Sequence, residues 1–117
     1  MLHISSHMAE VLGRGHRHRF FENLERITWE AHRPEAESIG RDGVRAAIMR
    51  EVAFGETLGL KSQRDLGIFF HFALILGWRY RDAAEHRWIE GMLRSDELGP
   101  PSERLELVVG LIMNGAG

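Results

Sequence analysis

A chain of 117 residues is one domain's worth of sequence. At 44% apolar and 27% charged it has the composition of a soluble globular protein with a buried core, which excludes a disordered or collagen-like chain. Its 15 basic and 17 acidic residues leave a net charge of −2, so no general attraction draws it to nucleic acid or an anionic membrane, and the absence of cysteine excludes disulfides, thiolate metal sites and cysteine nucleophiles.

From the N-terminus, Ile4, Met8, Val11, Leu12, Phe20, Phe21, Leu24, Ile27 and Ala31 recur at three- and four-residue steps. The spacing predicts a first helix that ends before Pro34. Gly13 and Gly15 fall inside it at up to about 1 kcal/mol each relative to alanine, so a break or a close helix contact is expected there. The basic cap, apolar run and small-residue cleavage site of a secretory leader are not found, and cytoplasmic residence is the expectation. Asp42 is placed to cap a second helix, Gly43 to Leu58, with Val44, Ala47, Ile48, Val52 and Leu58 inward and Gly59 as a left-handed terminator.

Lys61-Ser62-Gln63-Arg64-Asp65 is the sharpest local signal. Ser62 can bond the backbone of Asp65, whose carboxylate then lies near the positive helix start, as in a capping box with the shorter acid. The third helix runs from there to Leu76, with Gly77 as terminator. Its apolar residues, Ile68, Phe69, Phe70, Phe72, Ala73, Leu74, Ile75 and Leu76, point almost all round, so it is read as the central helix with no wide face to water. The apolar stretch Leu66 to Trp78 falls short of the roughly 18 to 20 residues a bilayer requires, and no membrane role is expected. Asp82 is placed to cap a fourth helix carrying Ala83, Ala84, Trp88, Ile89, Met92 and Leu93. Gly99-Pro100-Pro101 stops the chain, Ser102 is placed to cap a fifth helix with Leu105, Val108, Val109 and Ile112 inward, and residues 114–117 are expected to fray. These elements predict an all-α fold: one compact domain over 1–117, four to five helices around the central apolar helix.

Chemistry is sparse. His3, His7 and Glu10 would share one helix face, a spacing open to zinc or iron, although a terminal histidine pair is more often solvated surface. His71 interrupts the apolar run without a local nucleophile or carboxylate, which favours a core histidine bonded to a nearby partner over a catalytic base. No serine has a G-x-S-x-G setting, and Gly13-Arg14-Gly15 lacks the strand and third glycine of a dinucleotide loop. Acidic pairs such as Glu22 with Glu25 or Asp96 with Glu97 are read as solvated. Trp78-Arg79-Tyr80-Arg81, in the loop after the central helix, combines the residue types enriched in protein-binding hot spots and is the candidate partner-binding site, with a core Trp78 and solvated arginines as the alternative and protein favoured over RNA on a net-acidic domain. Replacing Arg79, Tyr80 and Arg81 together is expected to leave folding nearly intact; the next candidate surface is the first helix around Arg14, Arg17, Glu22 and Arg26.

Several motifs punctuate the chain: Ile4 with Met8, Arg33-Pro34 after the first helix, Gly40 to Arg45, Gly59 to Asp65, and Leu76-Gly77. In these the sequence resembles small all-helical proteins encoded beside type VI secretion effectors, VgrG spikes and PAAR tips in proteobacteria. It departs after Gly77, where the relatives carry an acidic-aromatic segment and this chain has Trp-Arg-Tyr-Arg. The resemblance implies effector handling as a co-chaperone or adaptor, without catalysis or cofactor. The expected partner is a secretion effector or its larger chaperone. An immunity protein binding a cognate toxin and a small His-dependent metalloprotein are the alternatives.

Overall fold

In a computed structural model the described residues are 6–115, with side chains described from Arg17 onward. Five α-helices, α1 (Ser6–Ala31), α2 (Arg33–Thr57), α3 (Gln63–Leu76), α4 (Arg87–Leu93) and α5 (Pro101–Met113), are joined by short connections. Three single 3-10 turns occupy Tyr80–Asp82, Ala84–His86 and Asp96–Leu98. No strand occurs among the described residues, and none of their helices is long and apolar enough to cross a membrane. The fold divides into two compact units, with the boundary between Ile48 and Met49 inside α2. Nothing in the apolar periodicity marks that boundary, because Val44, Ala47, Ile48 and Val52 continue across it at helical spacing.

In the N-terminal unit, α1 stays helical through Gly13 and Gly15, so the expected break there does not occur. Pro34 begins a helix rather than only ending one. It stands in the first turn of α2, where a missing N–H leaves no intrahelical bond unmade. The stretch from Arg33 to Ile39 is therefore helical, and the real break is Gly40 at φ 76° and ψ 174°. A backbone with that φ favours glycine, because an L side chain there clashes with its own carbonyl. Asp42, expected to cap, lies inside the helix that resumes after Gly40 and makes no capping bond among the described residues. Leu24, Thr28, Ala36, Val44, Ala47 and Ile48 are buried. The Thr28 hydroxyl donates to the Leu24 carbonyl at 2.7 Å, which satisfies it within its own helix. Arg45 Nε donates to both carboxylate oxygens of Glu25, at 3.0 and 3.1 Å, tying α1 to α2.

In the C-terminal unit, α2 ends at Thr57, and Gly59 takes φ 90° as expected of a left-handed terminator. The Ser62 hydroxyl accepts from the Asp65 N–H at 3.0 Å, and α3 runs from Gln63 to Leu76 before Gly77 at φ 114°. Leu66, Phe69, Phe70, Phe72, Ala73 and Leu74 are buried; Ile68, His71 and Ile75 share a narrow outer stripe, half-buried to exposed. Helix α2 comes close to α3 at Gly55, where a Cβ would stand 3.1 Å from both Leu66 Cδ2 and Phe69 Cδ2, and the Phe54 ring stacks on Phe69 at 6.1 Å.

Two expected caps fail here. Asp82 does not start a helix, because the turns Tyr80–Asp82 and Ala84–His86 are separated by extended Ala83, and α4 begins only at Arg87. Ser102 lies within α5, which Pro100 and Pro101 start instead, proline being tolerated where the first N–H groups have no partner. Leu105 and Val108 are the buried residues of α5; Val109 and Ile112 are half-buried. Arg104 donates to the Gly99 and Leu93 carbonyls and to Asp96, holding the Asp96–Leu98 turn against the start of α5. Of the expected frayed tail, Asn114 and Gly115 still donate backbone bonds to Gly110 and Ile112 at 3.1 Å, and residues 116–117 lie outside the described residues.

Candidate functional site

Gly77 turns the chain out of α3, and the Tyr80 N–H donates to its carbonyl at 3.1 Å. That turn divides the four candidate residues. Arg79 is exposed and forms no ion pair among the described residues, while Trp78 is half-buried with its ring 6.2 Å from that of Phe70. Tyr80 is buried, and Arg81 points inward to pair with the carboxylate of Glu51, itself only 1% exposed. The Arg81 guanidinium also lies 4.0 Å above the Phe54 ring centre, a cation–π contact, so its charge is met on one side by a carboxylate and on another by a π-face.

The expectation that Arg79, Tyr80 and Arg81 can be replaced together without harm is therefore corrected for two of the three. Removing Arg81 strands Glu51 as a buried, unpaired charge. Glu51 was legible as a candidate partner, since in the series Val44, Ile48, Glu51, Gly55 it holds an inward position on an otherwise apolar helix face. An acid at such a position asks for a cation, and the reading of Trp78 to Arg81 as an open loop overlooked that demand.

Burial alone pushes the Arg81 pKa down, but the hydrogen bond and charge of Glu51 outweigh it and hold the guanidinium above its ordinary value. Burial, and next the Glu51 charge, push the Tyr80 hydroxyl well above the usual phenol range. Tyr80 thus keeps its proton beside the Arg81 guanidinium, and the buried His86 Nδ1 and Trp88 Nε1 have no hydrogen-bond partner among the described residues.

Beside this cluster a half-open cavity of about 410 Å³ lies between the two 3-10 turns and α4, lined among others by Tyr80, His86, Arg87, Glu90, Gly91 and Arg94. Arg94 Nε donates to Glu90 at 2.9 Å, one turn back along the chain.

The remaining candidates are dispersed. His71 Nδ1 lies 2.8 Å from the Gly67 carbonyl, one helical turn earlier, as a structural histidine bonded to backbone does. Glu25 is taken up by Arg45 and Asp96 by Arg104, so neither acidic pair stands free for acid–base work. On α1, Arg17 lies over the Phe21 ring, Glu22 pairs with His18 and Arg26 with Glu30. His3 and the side chains of His7, Glu10 and Arg14 lie outside the described residues. Among the described residues no group of three metal-ligating side chains converges.

Comparison with known proteins finds no family model, no curated protein and no solved structure that matches the chain.

Proposed function

We propose that this chain is a non-catalytic protein-binding accessory protein, an adaptor or co-chaperone for a type VI secretion effector. The resemblance of its helix punctuation to that class supports the reading. The observation that carries it is the end of α3: Ile75 is 56% exposed, Arg79 is exposed, and Trp78 between them is half-buried against Phe70. An aliphatic residue, an anchored indole and an unpaired arginine within five positions offer the apolar centre and forked donor that protein interfaces favour. Anchoring matters, because a ring already held in place loses little side-chain freedom when a partner covers it.

Calorimetric titration of the purified chain against the effector encoded in the adjoining gene tests this. The variant Ile75→Asp with Arg79→Glu is expected to weaken binding by about 30-fold or more, roughly the 2 kcal/mol of a hot spot, while its urea midpoint stays within experimental scatter of the parent's. Failure of the parent to bind either the effector or its larger chaperone would overturn the adaptor role. Protection of cells from the effector's toxicity, without any change in its secretion, would reassign the protein as an immunity protein.

A further inference from the structure

We infer that the cavity between the two 3-10 turns and α4 is a binding site for a small organic monocarboxylate, its head group on Arg87 and Arg94 and its body against Ile89 and Gly91. This stands apart from the protein-binding role, which uses the end of α3.

Size is the first argument. About 410 Å³ lies within the range of roughly 300 to 1,000 Å³ typical of small-molecule pockets. Charge is the second. Arg81, Arg87 and Arg94 line the cavity against Glu90 alone, and Glu51 neutralises Arg81 from behind. Arg94 gives its Nε to Glu90 and lies 5.8 Å from the Phe54 ring centre, while Arg87 has no ion pair among the described residues. Three guanidinium charges against two carboxylates leave one positive charge uncompensated, which suits a monoanion better than a phosphate dianion. Two forked guanidiniums also match the two oxygens of a carboxylate.

The third argument is shape: at Gly91 an added Cβ would meet no atom within 4 Å, so the wall there is open, and Ile89 adds an aliphatic residue to the lining.

Amide chemical shifts of isotope-labelled protein, followed during titration with sodium benzoate, test the site, with benzyl alcohol as the neutral control and inorganic phosphate as the small-anion control. Benzoate is expected to cause saturable shifts confined to residues 80–94, benzyl alcohol none, and phosphate weaker ones. Arg87→Gln removes an exposed charge, and Gly91→Leu fills the open wall; each is expected to weaken benzoate binding at least tenfold while leaving the urea midpoint unchanged. Absence of saturable shifts with benzoate, equal binding of benzyl alcohol, or full affinity in a folded Gly91→Leu variant would each overturn the assignment.

Discussion

Helix α3 and the segment that follows it, residues 78 to 86, bury their side chains by opposite means. In α3, apart from Asp65 in the first turn, the buried groups are Leu66, Phe69, Phe70, Phe72, Ala73 and Leu74, each contributing shape and apolar area to a close-packed interior. In the following segment they are Tyr80 and the half-buried Arg81, the latter held by a carboxylate and an aromatic ring from α2. A buried apolar side chain loses what its own atoms contributed when it is cut back. Removing one member of a charge pair also strands its partner, which ties Arg81 to Glu51, 30 places earlier in the chain. Residues 82–87 include the helix formers Ala83, Ala84 and Glu85, yet the stretch folds as two separate turns joined by extended Ala83, and Arg81 meets Glu51 from the first of them.

The largest effect expected on the α3 side is from Phe70→Ala. Phe70 is fully buried, and the substitution is expected to cost about 3–5 kcal/mol in urea denaturation. Ile75→Ala on the outer stripe of the same helix is expected to stay within about 0.5 kcal/mol, as an exposed substitution does. Similar losses for the two would break the description of α3 as a helix with a buried face and one narrow outer stripe.

A smaller effect is expected at the start of α3. Ser62→Ala removes the acceptor for the Asp65 N–H and is expected to cost about 1 kcal/mol, measured by the same denaturation.

The smallest effect at neutral pH is from Tyr80→Phe, which sharpens the description of the second region. It deletes a buried hydroxyl with no well-aligned partner among the described residues, so stability at pH 7 is expected to change by less than about 1 kcal/mol. The alkaline behaviour should change more. The folded chain holds the Tyr80 proton more tightly than the unfolded chain, whose phenol ionises near pH 10. The stability from this difference is fully present below about pH 10 and is lost as the pH rises from there through the folded value. Tyr80→Phe is expected to flatten that alkaline decline. Tyr80 is the only tyrosine, so phenolate absorbance in the folded protein reports this one group, and a midpoint near the free-phenol value would contradict its burial.

Much of the fold was legible because its signals are local. Ser62, Gly59 and Gly77 act on backbone within a few residues, and each stands where the capping chemistry placed it. The all-helical class followed from period and punctuation. The readings that failed needed information from farther away or mistook the direction of a signal. Pro34 was read as a stop, although proline suits a first turn equally well. Asp82 and Ser102 were read as caps because their side chains can cap, while Pro100 and the turn at Ala84–His86 set the starts of the helices. Trp78 to Arg81 read as one binding segment because the sequence locally shows four residues of hot-spot types and nothing of Glu51. Half of that patch, Trp78 and Arg79, remains at the surface, and the other half is structural.

The division of labour between the two arginines is the claim on which both regions turn, and urea denaturation of Arg79→Ala beside Arg81→Ala tests it most directly. Arg81→Ala is expected to lose about 3–5 kcal/mol, because it leaves the Glu51 carboxylate buried and unpaired, and Arg79→Ala to stay within about 0.5 kcal/mol. Replacing the pair together, as Glu51→Leu with Arg81→Met, is expected to recover most of the loss. Equal destabilisation by the two single arginine variants would contradict the account.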